Sequence, residues 1–501
     1  MRPLATRSFP QTIDAALAIQ AQTRPDKLAF AHERERITFG ELDAEAGALA
    51  GALHELGIRS GERVAIALPA GLGFVRFFYA VQRLGAVPCA INPFAPAETV
   101  QRRAARIRPA AVIVNEKIEL TGRSIAASTA TKDDIAFLQL TSGTSGESRA
   151  AIVLQRNVAA MQEITSEAVE LTSDDVLVSW VPPWHDLGLV RFILTPAFAG
   201  TSCHLVTPSI SSIPRWLEVI AAERGTITGA PDFAWRLAAR LGDPGLDLSS
   251  LRFATNGGEP VRRSTIKAFE SRYGLHNVIR PGYGLAEATL GVTFTRPGAE
   301  IRVDERGNVS CGTAPAGIEV QLADDGEILV RGPVVFGGYF DAGEATAASL
   351  RDGWLYTGDI GSIDEEGRLY VLGRKRSMLK RGGAIVAPRE LEEAAQSAGG
   401  VRIAAAVALP PTEGRSTESI VVLIEPERTN ESDATTARVA DRIREVLGFA
   451  PESVIAVMPR SIPITPNGKI RHDVLRMQLA EGTFPPQSIL FNAASDRESA
   501  G

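Results

Sequence analysis

Residues 139–153 read Gln-Leu-Thr-Ser-Gly-Thr-Ser-Gly-Glu-Ser-Arg-Ala-Ala-Ile-Val, so hydroxyl residues and glycines stand between two apolar runs typical of β-strands. Gly143 and Gly146 permit positive φ and let backbone N–H groups approach an anion closely, while Arg149 adds a fixed positive charge. The hydroxyl donors are Thr141, Ser142, Thr144 and Ser145. The stretch predicts a phosphate-binding turn, and by itself it leaves a flexible surface turn open. It is not a Walker loop, because no Gly-Lys-Ser/Thr follows the glycines.

Several motifs farther along the chain favour the phosphate-binding alternative. They are Asn256-Gly257-Gly258-Glu259-Pro260, Gly282-Tyr283-Gly284-Leu285-Ala286-Glu287-Ala288-Thr289, Tyr356-Thr357-Gly358-Asp359, Gly373-Arg374 and Pro466-Asn467-Gly468-Lys469. In this order and at these spacings they resemble the ANL superfamily of adenylate-forming enzymes, which includes acyl-CoA synthetases, peptide-synthetase adenylation domains and luciferases. The resemblance covers nearly the whole chain.

Within that superfamily the chain is most similar to the fatty acyl-AMP ligases. The similarity is carried by Trp-Val-Pro-Pro-Trp-His-Asp-Leu-Gly-Leu at residues 180–189, by Gly-Gly-Glu-Pro-Val-Arg ending at Arg262, and by Tyr-Gly-Leu-Ala-Glu-Ala-Thr-Leu ending at Leu290. Arg149 also resembles that branch, since many relatives carry Lys there.

Length and composition limit the classes of function. The chain has 501 residues, of which 45% are hydrophobic, enough for two or more domains with sizeable cores. Its net charge of −6 provides no basic field for nucleic acid or an anionic membrane. Three widely separated cysteines show no metal-ligand spacing and suggest a reduced, cytoplasmic protein. No stretch is apolar enough to predict a transmembrane segment, because residues 176–199 are interrupted by prolines and by charged residues that include Arg191.

The hydrophobic pattern predicts an α/β fold. Helical runs such as residues 12–23 and 73–84 alternate with β-type runs such as 63–68 and 111–114, which indicates helix-covered parallel sheets. Beyond residue 300, short strands around turns predict a β-rich subdomain, with examples at 319–322, 327–331 and 368–372.

The same pattern predicts three regions along the chain. Residues 1–374 are predicted to form an N-terminal domain, which the resemblance implies is the adenylation domain, and residues 375–483 a small α+β domain with a helix at 389–398 and strands at 403–409 and 419–425. By resemblance this second domain is mobile and hinged near Arg376. The polar tail at 484–501 is expected to be disordered.

The resemblance assigns roles in binding Mg·ATP. Glu287 is the implied Mg²⁺ ligand, and a hard carboxylate suits that ion. Tyr283 is implied to stack on adenine, with Gly257, Gly258, Glu259 and Gly284 in the two backbone stretches that approach the base. Asp359 is implied to accept hydrogen bonds from the ribose hydroxyls, and Arg374 to support it.

Two further residues are assigned to the chemical step. Lys469, in a tight Pro-Asn-Gly-Lys turn, is implied to bridge the carboxylate and the α-phosphate during adenylation. His185 lies beside Asp186, but neighbouring residues cannot both face one substrate if they lie in a strand. We therefore expect His185 to form a wall or gate of the acyl pocket, and a structural role is equally compatible with the pattern.

The resemblance thus predicts an enzyme that activates a fatty or related carboxylic acid with ATP and Mg²⁺, releases pyrophosphate, and transfers the acyl group to the phosphopantetheine thiol of an acyl carrier protein. An acyl-CoA synthetase that uses free CoA is the alternative. The short stretch at residues 296–308 favours this alternative. Typical fatty acyl-AMP ligases carry an extra segment near this position that is linked to refusing CoA, and this chain lacks it. A catalytically silent nucleotide-binding protein is a third hypothesis, and the presence of Glu287, Asp359 and Lys469 argues against it.

Overall fold

The computed structural model describes residues 9–141, 148–381, 384–410, 418–464 and 470–494. The chain divides into two compact units, which we call the first unit (Met1–Thr357 with Gly361–Val371) and the second unit (Gly358–Ile360 with Leu372–Gly501). The sequence placed the domain boundary after residue 374, and that boundary and the mobility of the smaller domain stay predictions.

Strands of the first unit come from most of the chain, and the last two, β17 and β18, contribute residues to both units. They are β1 Leu28–His32, β2 Glu35–Thr38, β3 Arg63–Ile66, β4 Val87–Ala90, β5 Ala111–Ile113, β6 Ile135–Thr141, β7 Arg149–Leu154, β8 Val176–Ser179, β9 Ser202–Leu205, β10 Ile227–Ala230, β11 Phe253–Asn256, β12 Ile279–Tyr283, β13 Thr293–Phe294, β14 Glu319–Leu322, β15 Glu327–Arg331, β16 Leu350–Arg351, β17 Trp354–Ile363 and β18 Leu369–Arg374.

Helices of the first unit lie mainly between these strands. They are α1 Ile13–Thr23, α2 Phe39–Glu55, α3 Leu72–Arg83, α4 Ala97–Ala105, α5 Gln155–Ala168, α6 Thr195–Ala199, α7 Ile213–Ala222, α8 Asp232–Leu241, α9 Arg263–Tyr273 and α10 Gly343–Ser349, and a π-helix spans Leu187–Leu194. Local chemistry sets some of the ends: the Thr12 side chain caps α1, and Thr38 with Glu41 forms a capping box on α2.

The largest sheet has eight strands in the order β13-β12-β11-β10-β8-β9-β1-β2, and its six inner strands run parallel while both edge strands are antiparallel. A second parallel sheet has the order β4-β3-β5, and β6 with β7 forms an antiparallel hairpin. The β-rich part is a five-stranded sheet of β14 to β18. These sheets confirm the predicted α/β class with parallel sheets and a β-rich region. The carboxyl ends of adjacent parallel strands meet at one edge, which therefore gathers the loops after β8, β10, β11 and β12.

The second unit is an α+β structure. It contains β19 Leu379–Arg381, β20 Ala384–Val386, β21 Val401–Leu409, β22 Ser419–Pro426, β23 Ser453–Val457, β24 Ile489–Ala494, α11 Pro388–Ser397, α12 Ser432–Leu447 and α13 His472–Ala480. Its main sheet has the order β21-β22-β23-β24 and packs apolar residues on both faces.

The prediction of a disordered tail from residue 484 was wrong for its first part. Strand β24 pairs antiparallel with β23 from Ser453↔Ala494 to Val457↔Ile489. Leu490 and Phe491 of β24 pack against the apolar core of the sheet, whereas the polar composition of the whole tail had indicated disorder. Residues 495–501 lie outside the described residues.

Among the described residues, no helix combines the length and the apolar character that crossing a membrane requires.

Candidate active site

The predicted metal ligand Glu287 lies in a short 3-10 turn, Ala286–Ala288, just after β12. Its Oε1 atom accepts a hydrogen bond from the Tyr339 hydroxyl at 2.7 Å. Burial, together with the neighbouring Glu287 charge, raises the pKa of Tyr339, so the phenol stays protonated and keeps donating. The half-buried carboxylate is thereby held in a defined orientation.

Tyr339 also joins Glu287 to the predicted phosphate turn. The guanidinium carbon of Arg149 lies 5.4 Å from the centre of the Tyr339 ring, within cation–π range. The backbone around Tyr339 pairs with β7 through Ala151, and Phe336 N donates to Glu287 O at 2.9 Å. The Tyr339 side chain therefore contacts both Arg149, which is predicted to bind phosphate, and Glu287, the predicted metal ligand.

The turn itself is described only at its two ends. Thr141 and Arg149 are paired across the β6–β7 hairpin, and the Ser148 hydroxyl donates to Thr141 O at 2.8 Å. The other predicted phosphate-binding residues, Ser142, Gly143, Thr144, Ser145 and Gly146, lie outside the described residues.

Thr289 follows Glu287 with an unusual backbone. Its φ is 63° and its ψ is −49°, and Leu290 N donates to Ala288 O at 2.6 Å around it, which is the geometry of a strained γ-turn. Such a conformation costs a β-branched residue on the order of 1–3 kcal/mol. The Thr289 hydroxyl donates to Val334 O at 2.6 Å and helps to hold the turn. A side chain at Gly284 would place its Cβ 1.8 Å from Leu290 O, so this turn also requires glycine there.

The two backbone stretches predicted to approach adenine lie side by side. A Cβ at Gly257 would meet Gly282 O at 2.8 Å, and Gly258 takes a φ of +79°. Tyr283 is half-buried at the end of β12 and pairs with Thr293. The structure thus brings Gly257 and Gly258 next to the segment that contains Tyr283.

Asp232 organises the loop that follows β11. Its buried carboxylate accepts from Asn256 Nδ2 at 3.1 Å, from Arg262 N at 3.1 Å and from the Thr265 hydroxyl at 3.0 Å. Glu259 accepts from Phe233 N at 2.6 Å, at the start of α8. Sequence reasoning assigned Glu259 to nucleotide binding, and in the structure its carboxylate binds the amino end of a helix, while a ligand contact stays a prediction.

His185 lies in a bend that leads into the π-helix and not in a strand, so the geometric argument for a strand does not apply here, and its role as a wall or gate of the acyl pocket stays a prediction. A bend allows neighbouring side chains to meet: His185 Nδ1 and Asp186 Oδ1 are 2.7 Å apart. Gly188 makes the bend possible, because a Cβ there would lie 2.0 Å from Pro182 O. Gln139 Nε2 donates to Trp184 O at 3.1 Å, which places this bend beside the strand that enters the predicted phosphate turn.

In the second unit, Asp359 and Arg374 form an ion pair, with Nε and Oδ1 3.1 Å apart. The Asp359 side chain is 8% exposed and that of Arg374 is 51% exposed, so the carboxylate is held by a cation that still reaches the surface. Arg376, the predicted hinge, lies in the short 3-10 turn Lys375–Ser377. The predicted catalytic residue Lys469 lies outside the described residues.

Comparison with known proteins identifies the family. The model of the family described as AMP-binding enzyme matches residues 17–129 and 116–340. The chain belongs to this family.

Two relatives of this AMP-binding enzyme carry names that specify different acceptors. One is the medium-chain-fatty-acid–acyl-carrier-protein ligase JamA of Moorena producens, 29% identical over an alignment of 409 positions that covers 70% of this chain and 69% of JamA. The other is a methyl-dioxo-octahydroindenyl-propanoyl:CoA ligase of Rhodococcus jostii, 31% identical over 364 residues, which are 72% of this chain and 68% of that protein.

Solved structures extend the similarity to almost the whole AMP-binding enzyme. A structure from work on fatty acyl-adenylate ligases of E. coli and L. pneumophila has 25% sequence identity and a TM-score of 0.81, with 96% of this chain and 98% of that chain covered. Together these similarities establish an ATP-dependent, acyl-adenylate-forming ligase whose substrate is a carboxylic acid.

A single carboxylate, that of Glu287, fits a magnesium ion whose other ligands are substrate phosphates and water. Among the described residues, no group of three or more His, Cys, Asp or Glu side chains could hold a metal. Mg²⁺ is commonly bound by one or two carboxylates together with substrate phosphates and water, so Glu287, the predicted ligand, would suffice on the protein side.

Two residues that position this site escaped the sequence reasoning. Tyr339 and Asp232 belong to none of the recognised motifs, and each acts through a contact between residues far apart in the chain: 52 positions for Tyr339 and Glu287, and 24 for Asp232 and Asn256. For Asp232 the sequence offers one weak indication of its role. Asp232 follows Pro231 at the start of a helix, but acidic residues are common at that position and do not indicate a site.

Proposed function

We propose that this AMP-binding enzyme is a fatty acyl-AMP ligase. It joins a fatty or related carboxylic acid to the α-phosphate of ATP, releases pyrophosphate, and passes the acyl group to the phosphopantetheine thiol of an acyl carrier protein. The observation that carries the proposal is the contact of one tyrosine, Tyr339, with both Arg149 and Glu287.

The chemistry explains why that contact matters. The reaction brings two anions together, so the site must supply positive charge and hydrogen-bond donors at fixed positions. Arg149 and the turn at 141–149 serve the phosphates, and Glu287 binds the Mg²⁺ that they carry. Asp359 with Arg374 holds the ribose, Tyr283 covers the adenine, and Lys469 bridges the reacting carboxylate and phosphate. The smaller domain rotates about Arg376 between the two half-reactions.

The carrier protein is proposed as acceptor because the motifs ending at Arg262 and Leu290 resemble the fatty acyl-AMP ligase branch, and because JamA is named for such a carrier. CoA is the second candidate. It is supported by the name of the Rhodococcus relative and by the shortness of residues 296–308, which form tight turns closed by the bridge Val303↔Val309.

A cytoplasmic location accompanies this proposal. Cys89, Cys203 and Cys311 are buried thiols, as expected for a protein kept in a reducing compartment.

Carboxylate-dependent exchange between ATP and labelled pyrophosphate tests the activation step. Medium- and long-chain fatty acids are expected to support exchange, and the twenty amino acids are not, because residues 180–189 and 257–259 offer no carboxylate assigned to a substrate α-amine. Exchange with an amino acid and with no fatty acid would overturn the proposal.

A further inference from the structure

Arg191 is a buried cation in the helix that follows His185. It lies in the π-helix Leu187–Leu194, which begins directly after the His185–Asp186 contact. π-Helical turns are rare and frequently occur at functional sites. The residues on both sides of Arg191 in this helix, Leu189, Val190, Phe192 and Ile193, are buried apolar residues, so a charged residue among them requires a reason.

The π-helix is held by side chains from two neighbouring helices. Gln162 of α5 donates to Val190 O at 2.7 Å and accepts from the Thr195 hydroxyl at 2.9 Å. The Tyr79 hydroxyl of α3 donates to Ile193 O at 2.7 Å. These bonds fix the backbone on both sides of Arg191, and they therefore also fix the position of its Cα atom.

Two nitrogen atoms of the Arg191 guanidinium are buried without a hydrogen-bond partner in the part of the chain that the structure describes. Arg191 is 3% exposed, and its Nε and Nη1 atoms have no hydrogen-bond partner among the residues that the structure describes. Burial, with a smaller effect from Arg252, lowers the pKa of Arg191 to about 10, so the group remains a cation at neutral pH.

Arg83 shows how the same fold treats another buried arginine. Its side chain is 2% exposed and forms ion pairs with Asp14 and Asp43. A buried charge without such a partner is strongly unfavourable, which is why buried charges are usually paired or bind a ligand. Arg191 therefore has the properties expected of a residue that binds an anionic ligand.

The topology shows how deep Arg191 lies. Strands β8 and β9 are parallel, so the chain between them must run back from the carboxyl edge of the sheet toward the amino edge. Arg191 is five positions beyond Asp186 on that return path and therefore lies farther from the carboxyl edge than His185 and Asp186. An acid whose reacting carboxylate lies at the carboxyl edge would extend its chain in the direction of Arg191.

We infer that Arg191 is a specificity-determining residue that binds a second carboxylate on the chain of the acid substrate. This inference rests on the proposed function and narrows its substrate class to dicarboxylic acids and related acids with an anionic group away from the reacting end. A planar guanidinium suits this role because it binds a carboxylate through two parallel hydrogen bonds.

The test compares pyrophosphate exchange for monocarboxylic acids and α,ω-dicarboxylic acids of equal chain length, over medium and long chains. The enzyme is expected to favour the best dicarboxylic acid by roughly tenfold or more in kcat/KM, the effect of a charged hydrogen bond. Arg191→Met is expected to reverse the preference, and Arg191→Lys to retain part of it.

Thermal melting supplies a second readout that does not depend on activity. Arg191→Met removes an unpaired buried charge and is expected to leave the melting temperature unchanged or higher, whereas Arg83→Met breaks buried ion pairs and lowers it. The inference is overturned if monocarboxylic acids match or exceed dicarboxylic acids at every length, or if Arg191→Met leaves the ratio unchanged. Exchange with no acid of either kind would instead refute the proposed function itself.

Discussion

The Tyr339 hydroxyl donates a hydrogen bond to the Glu287 carboxylate at 2.7 Å, across 52 positions of the chain. Because the same tyrosine ring lies 5.4 Å from the Arg149 guanidinium carbon, the orientation of the predicted metal ligand depends on the hairpin that carries the predicted phosphate turn. A defect at Tyr339 should therefore affect metal-dependent catalysis without any change in a metal ligand.

Tyr339→Phe tests this dependence. Loss of the bond is expected to lower kcat/KM for adenylation about 3- to 10-fold and to raise the Mg²⁺ concentration required for half-maximal rate. Tyr370→Phe is the matched control, because the Tyr370 hydroxyl also donates to a carboxylate, Asp364, at 3.0 Å, in a turn unrelated to the site. Equal effects of both substitutions would show that Tyr339 acts only through stability.

Glu287→Gln removes the charge of the predicted metal ligand and keeps its size. We expect a large loss of adenylation that excess Mg²⁺ partly restores, measured as pyrophosphate release over a range of Mg²⁺ concentrations. The Tyr339 hydroxyl can still donate to the amide oxygen, so the melting temperature should change little. Full activity at ordinary Mg²⁺ would remove Glu287 from the metal site.

Asp359→Ala removes the carboxylate that Arg374 holds at 3.1 Å. ATP affinity is expected to fall about tenfold or more, since hydrogen bonds to charged groups are stronger than neutral ones. Isothermal titration calorimetry with the intact chain measures the effect. An unchanged dissociation constant for ATP would show that Asp359 does not bind the ribose.

A pH effect is expected from His472 and Glu392, whose Nε2 and Oε1 atoms are 2.6 Å apart. Although burial lowers the pKa of His472, its hydrogen bond with Glu392 and the charge of that group outweigh it, and the net pKa is raised. The pair thus contributes its full stability below the unfolded pKa of about 6.5 and loses it as pH rises through the folded pKa.

Thermal melting across this range tests the pair. The stability advantage of the wild-type chain over His472→Gln should be greatest below about pH 6.5 and should shrink as pH increases. His276→Gln, at an exposed position, serves as control. An advantage that grows with pH would contradict the assignment.

Much of the fold followed from short-range patterns. The predicted strands at 319–322 and 327–331 coincide with β14 and β15, because turn residues delimit them and cross-strand pairing requires no distant information. The disordered tail was predicted wrongly because β24 is stabilised by pairing with β23, more than thirty residues earlier.

Less of the site could be predicted from the sequence, because it too depends on contacts between segments far apart in the chain. The motifs pointed to Glu287, Arg149 and Asp359, yet the contacts of Tyr339 arise only when separate segments pack together. Arg191 was visible in the sequence as a charge that interrupts an apolar run, and its significance depends on burial without a partner, which only a structure reveals.

The most direct measurement for the proposed function compares thioester formation with phosphopantetheinylated acyl carrier protein and with free CoA. Both acceptors are supplied at matched concentrations to the enzyme with ATP, Mg²⁺ and its preferred acid. Lys469→Ala, supplied with preformed acyl adenylate, isolates the transfer step, because that lysine is proposed to act only in adenylation. The account predicts faster, saturable transfer to the carrier protein, and faster, saturable transfer to CoA would contradict it.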